Sequence, residues 1–202
     1  YGASVAACGD HIAVGAPRDE ETESAGYGAG MVFIYKSGSG GYALEQELYL
    51  SSSGTTLTKL SHFGAHVELD TKGDDKYIIV GAPQFGESLD DHGRVEIFKS
   101  GSSGWATHKI LYPHNATNTY EYMGCSVDIT GGVAIAGAYN DRESGGSNSG
   151  TLTGQAYIFD ATTVTTSGTE DFGHPFRFGA KTVSNIRGIG AGTDIKVKSD
   201  DD

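Results

Sequence analysis

An internal repeat limits this chain to very few folds. A large side chain followed by glycine opens four stretches: Tyr1-Gly2-Ala3-Ser4, Phe63-Gly64-Ala65-His66, Met123-Gly124-Cys125-Ser126 and Phe178-Gly179-Ala180-Lys181, at spacings of 62, 60 and 55 residues. Each leads to a second marker: Gly15-Ala16-Pro17, Gly81-Ala82-Pro83, Gly137-Ala138-Tyr139 and a weak Gly190-Ala191-Gly192. A strand-like third marker follows in the first three, at 32–36, 95–99 and 156–160. A period this long belongs to arrays whose units bury their faces only against their neighbours.

Within each unit the pattern reads as four short strands. In the first unit these are 4–8, 11–16, 31–36 and 42–50, the second ended by Pro17, which cannot donate to a ladder. The second unit repeats them at 65–69, 77–82, 94–99 and 105–112, with a longer first turn at 70–76. The third unit gives a hairpin across Thr130-Gly131-Gly132, a strand at 156–159, and a Thr/Ser-rich fourth segment whose one strongly apolar residue is Val164. Glycine, at 31 of 202 residues, is about twice its usual share and supplies the turns. The expectation is all-β: β-propeller blades of four antiparallel strands, about three and a half of them, at 1–62, 63–122, 123–177 and a partial 178–202. A sandwich or a β-solenoid is the alternative.

The paired markers resemble the FG-GAP repeat family, whose best-known members form the seven-bladed propeller at the head of integrin α subunits. Phe63-Gly64 with Gly81-Ala82-Pro83 and Tyr1-Gly2 with Gly15-Ala16-Pro17 carry the resemblance; Met123-Gly124 with Gly137-Ala138-Tyr139 is looser. It spans essentially the whole chain and is specific for fold, weak for function. The resemblance implies a calcium loop between the first two strands of a unit. The first and third units have only short turns there. The second has Asp70-Thr71-Lys72-Gly73-Asp74-Asp75, where Asp70, Asp74 and Asp75 are candidate Ca²⁺ ligands, with a solvated acidic turn as the alternative. Between three and four blades do not close a ring, so further blades are expected from a longer protein or from another chain. The start at Tyr1, without Met and directly on a marker, reads as a processed product or a fragment.

The remaining features bear on function. A net charge of -12, from 26 acidic against 14 basic residues, leaves no basic patch for nucleic acid, and no apolar run approaches the length of a membrane span. Two acidic loops occupy equivalent places after Pro17 and Pro83. Asp19, Glu20, Glu21 and Glu23 lie in one and Glu87, Asp90 and Asp91 in the other, a solvated rim or a surface for a cation or basic partner. Asn115-Ala116-Thr117 is an N-glycosylation triplet. Tyr42 and Trp105 match at the start of fourth strands, suited to wedge packing or to stacking on a sugar. Cys8 and Cys125 are either one bridge or two free thiols. No nucleophile elbow or metal-spaced histidine pair stands out. The sequence thus points away from an enzyme and toward an extracellular or cell-surface module that recognises a protein or glycan, with calcium as an optional aid. A structural scaffold subunit is the second reading, and a lectin or propeller-face hydrolase the third.

Overall fold

The computed structural model describes residues 1–19, 29–50, 61–86, 91–113, 120–140 and 154–162, with the backbone of 171–172 and 174–176. Its thirteen strands are β1 Ser4–Cys8, β2 His11–Ala16, β3 Met31–Gly38, β4 Gly41–Tyr49, β5 His66–Lys72, β6 Asp75–Ala82, β7 Arg94–Gly101, β8 Gly104–Tyr112, β9 Ser126–Thr130, β10 Val133–Ala138, β11 Gln155–Asp160, β12 Asp171–Phe172 and β13 His174–Phe176. The described residues contain no helix. The strands make three sheets, ordered β1-β2-β3-β4, β12-β8-β7-β6-β5 and β13-β11-β10-β9. Pairing is antiparallel throughout except for β12, which runs parallel to β8.

Each sheet is a meander whose register repeats. Gly15 pairs with Ser4 and Val32, Gly81 with His66 and Val95, and Gly137 with Ser126 and Ala156. The first and second sheets share a one-residue irregularity between their third and fourth strands, at Ile34/Tyr35 and Ile97/Phe98. The outer strand β4 is largely exposed, as its polar alternation requires.

Period-two alternation gives every sheet two apolar faces, and the faces stack in one direction. Ala6, Ala13, Val32 and Ile34 of the first sheet meet Val67, Ile78, Val80 and Phe98 of the second. The opposite face of the second sheet, with Tyr77, Ile79, Val95, Ile97 and Leu111, meets Val127, Ile129, Ala134, Ala136 and Phe159 of the third. Phe63 and Met123, the large residues of the opening markers, are fully buried between successive sheets.

The glycine markers explain how closely the sheets approach. A Cβ on Gly15 would lie 2.0 Å from the carbonyl oxygen of Gly64, and a Cβ on Gly81 2.0 Å from that of Gly124. Gly64 and Gly124 have φ of 87° and 92°, in the left-handed region that glycine enters freely. The Gly-Ala marker of one sheet therefore seats the opening glycine of the next, and both must lack a side chain.

Two expectations are corrected. The turn expected at 70–76 is reduced to Gly73-Asp74, because β5 runs on to Lys72 and β6 begins at Asp75. Asp70 is thus a strand residue and Asp75 the register partner of Lys72. The ladder closes over the extra residues because each added pair satisfies two more backbone groups. In the third sheet the fourth position is filled by β13 at His174–Phe176, and 171–172 pair back onto the second sheet. The unit boundaries read from the repeat are therefore crossed by chain from the third unit. Val164 lies outside the described residues.

Candidate functional site

Second strands end, third strands begin and successive sheets join at one end of the stack. Tight turns follow the Gly-Ala markers: Asp19 N donates to Ala16 O at 3.0 Å, and Phe85 N to Ala82 O at 3.1 Å. The returning chain is tied down through Gly30 N to Asp19 O at 3.1 Å and Gly93 N to Phe85 O at 2.8 Å. Before each inter-sheet marker stands a residue in the left-handed region, His62 with φ 53° and Tyr122 with φ 56°. Its carbonyl accepts from the residue three positions on, Ala65 and Cys125 respectively.

The third sheet keeps this frame and changes its side chains. Tyr122 stands where the previous unit has His62, and Tyr139 where the earlier units have Pro17 and Pro83. The two rings stack with centroids 5.3 Å apart and planes 6° from parallel. Tyr120 lies 6.3 Å from Tyr122 in a tilted arrangement and has φ of 64°. Asn140 Nδ2 donates to Tyr120 O at 2.6 Å, and Tyr122 N to Asp91 O at 3.1 Å, so both ends of the segment are held. Tyr139 is 64% exposed and Tyr120 43%. Two non-glycine residues in left-handed backbone cost of order 1–2 kcal/mol each. His62 shows that the turn at Tyr122 belongs to the common frame, and what the third sheet adds is the aromatic cluster, with Tyr120 and Tyr139 exposed and Tyr122 half-buried. Burial, then the neighbouring Asp91 and tyrosines, raise the Tyr122 pKa above its ordinary value, so its hydroxyl remains a donor at neutral pH.

Of the acidic rim, Asp19 and Asp91 are described and stand at this same end of their own sheets. Glu20, Glu21, Glu23, Glu87 and Asp90 lie outside the described residues, and so does Asn115.

The Asp70, Asp74 and Asp75 set lies at the opposite end and does not fit a calcium ion. Asp70 Oδ2 accepts from Gly131 N of the third sheet at 2.7 Å. Asp75 Oδ2 pairs with Lys99 Nζ at 2.8 Å, and that contact lowers its pKa. Among the described residues no three His, Cys, Asp or Glu side chains come together as a metal would require. Six to eight oxygens cannot converge from a two-residue turn whose neighbours are already engaged. Cys8 and Cys125 are separate free thiols.

Polar side chains join the first two sheets. Lys76 Nζ reaches Asp10 Oδ1 at 2.7 Å, and this bond, ahead of the contact with His11, lowers the Asp10 pKa to about 2. His11 lies between Asp10 at 2.6 Å and Glu45 at 3.1 Å. Trp105 donates from Nε1 to Glu45 at 2.9 Å, while its backbone exchanges two 2.8 Å hydrogen bonds with the Gln46 side chain. Trp105 is therefore a wedge between sheets, 5% exposed, whereas Tyr42 at the matching place is 54% exposed. Arg94 and Glu96 form a fully buried pair on the second sheet, with the guanidinium 4.2 Å from the centre of the Phe85 ring.

The tyrosine cluster was not legible as a site in the sequence. Its signal was the replacement of proline by Tyr139 at the third marker, which reads as a weakened repeat until Tyr122 is seen stacked on it. No protein-family model matches the chain, and no curated protein does.

Proposed function

We propose that the chain is an extracellular or cell-surface recognition module of the FG-GAP propeller type, taking a glycan ligand on the edge that carries Tyr120, Tyr122 and Tyr139. The glycine seats between sheets support the propeller reading, since they give the paired markers a mechanical reason. The observation that carries the recognition reading is the stacked tyrosine pair, with Tyr139 exposed and Tyr122 half-buried beneath it. A sugar ring presents C–H bonds to an aromatic face and hydroxyls to flanking polar groups, and Asn140, the Tyr122 hydroxyl and Asp91 stand beside the rings. Simple packing would bury these side chains, as it does the large residues of the interior. A single stacked sugar on a solvent-exposed platform gives weak affinity, and adhesion modules reach useful avidity by multivalency.

The Asp70, Asp74 and Asp75 geometry argues against calcium at that turn, and the glycan reading does not call on the ion there.

The test is a glycan array with the intact chain and with Tyr139→Ala and Tyr122→Ala. Binding to a defined glycan class that falls at least tenfold in both variants, with unfolding midpoints unchanged for Tyr139→Ala, is the expected result. No binding to any glycan, or binding indifferent to both substitutions, refutes the reading.

A further inference from the structure

His11 is an ionisable residue at a place its counterparts leave uncharged. Gly15, Gly81 and Gly137 share one register, so His11 stands where the second sheet has Tyr77 and the third has Val133. It begins β2, at the far end from the Gly15 seat, and its side chain is 3% exposed.

Both ring nitrogens face carboxylates of the first sheet. Asp10 Oδ1 lies 2.6 Å from Nδ1, and Glu45 Oε2 lies 3.1 Å from Nε2. The same two carboxylates are where the second sheet takes hold. Lys76 of β6 reaches Asp10 at 2.7 Å and approaches His11 Nδ1 at 3.3 Å. Trp105 of β8 donates from Nε1 to Glu45 at 2.9 Å and meets the imidazole edge-on, with ring centroids 5.5 Å apart. Lys36 of β3, 3.5 Å from Glu45 Oε1, completes the charged groups around the ring. All of these side chains are among the described residues.

A neutral imidazole has one N–H and one lone pair, so it serves one carboxylate and turns its lone pair on the other. Imidazolium donates to both. Protonating a carboxylate would relieve the same conflict, but neither is available for it at neutral pH. Lys76, ahead of His11, lowers the Asp10 pKa to about 2. Burial favours the neutral form of Glu45, yet the Trp105 donor, His11 and Lys36 together lower its pKa.

We propose that His11 is a proton-dependent clasp between the first two sheets: protonated on both nitrogens it holds Asp10 and Glu45 in place for Lys76 and Trp105, and loss of one proton loosens that end of the interface. The direction follows from the donor count, so raising the pH opens the clasp. The opening is local. The Gly15 seat on Gly64 is built from backbone and does not titrate, and Ala6, Ala13, Val67 and Val80 keep the two sheets packed. The seat is then the hinge about which the clasped end moves.

Long-range proton–nitrogen correlation spectra of the histidine rings test this on the full chain, followed from pH 5 to 9.5. His11→Gln assigns the His11 signals, and far-ultraviolet circular dichroism verifies that each variant is folded. Both His11 nitrogens are expected to carry protons at pH 7, and one to lose its proton at higher pH. Trp105, the single tryptophan, is expected to brighten at that same pH, because an imidazolium against an indole quenches its emission. Exchange of the Ser37 amide, which donates to Asp10 O at 2.8 Å, should quicken there too. Glu45→Gln keeps the shape and removes one charge, and is expected to lower the pH of the change by about one unit. A His11 ring with a lone pair at pH 7, a Trp105 emission that does not follow the His11 ring, or a change whose pH is the same in Glu45→Gln would overturn the proposal. The wild-type ring spectrum alone decides the first point, whatever the variants do, and no readout involves a glycan.

Discussion

Gly81→Ala isolates the force that fixes the distance between sheets. Gly81 sits in β6 outside the left-handed region, so alanine is compatible with its backbone. On backbone grounds alone the substitution would stabilise the fold by about 0.4–1 kcal/mol through the unfolded state. The structure reverses that sign. The new Cβ would lie 2.0 Å from the Gly124 carbonyl oxygen and 2.9 Å from its carbon, both backbone atoms that cannot rotate away. Gly124 is itself anchored, its N–H donating to Gly137 O at 2.9 Å. Relief to ordinary contact requires the second and third sheets to part by more than about 1 Å, and a gap of that size forfeits a quarter to a half of each dispersion contact across it. Ile79, Val95, Ile97, Met123 and Val127 all lie on that interface. The expected cost is about 3 kcal/mol, at the upper end for overpacking, or a Tm lower by about 6–12 °C. Gly40→Ala is the control: a Cβ there meets nothing within 4 Å in ordinary backbone, so its effect stays within about 0.5 kcal/mol. Urea unfolding of both variants, followed by Trp105 fluorescence and by far-ultraviolet circular dichroism, measures the difference. Equal midpoints for the two variants would refute the glycine-seat argument.

The remaining predictions concern the polar and aromatic ties. Trp105→Ala removes the wedge between the first two sheets and the Nε1–H donor to Glu45, while the backbone bonds to Gln46 persist, with an expected loss of about 3–5 kcal/mol in urea unfolding. Arg94→Met strands the buried Glu96 carboxylate and is expected to cost about 3–5 kcal/mol, while the paired change to Met at both positions recovers most of it. His62 and His108 both have pKa values lowered from 6.5, chiefly by burial, so the unfolded chain takes up protons that the folded one resists. Stability is therefore full above pH 6.5 and falls as pH drops toward the lowered folded values; thermal scans from pH 7.5 to 5 should show the decline, and His108→Gln should flatten it. Asp10 behaves as a depressed carboxylate: its contribution is present above its unfolded value of 3.8 and is lost as pH falls toward about 2, and Lys76→Met should remove that acid limb from a fluorescence titration.

What the sequence revealed and what it hid follow the range of the interactions concerned. Ser4–Cys8 and His11–Ala16 can be read from the chain because Gly9-Asp10 and Pro17 punctuate them locally. The repeat markers are legible because the same contact, glycine on glycine, recurs at each interface and leaves the same residues behind. Legibility fails where a segment answers to a partner distant in sequence. Asp70 reads as a turn ligand beside Asp74 and Asp75, yet the antiparallel ladder carries it into a strand and Gly131, 61 residues on, takes its carboxylate. The short strands at 171–172 and 174–176 divide between two sheets, one of them belonging to the preceding unit, which no local pattern announces. Tyr122 and Tyr139 look like erosion of the markers when each is compared only with its own counterpart. Placed side by side by the ladder of β9 and β10, they are a matched substitution: the frame is retained and two positions that elsewhere carry histidine and proline both carry tyrosine. A repeat protein conserves the residues that fix its sheets and varies those its sheets hold out to solvent. The departures from the repeat, rather than the repeat itself, are therefore where a ligand should be sought.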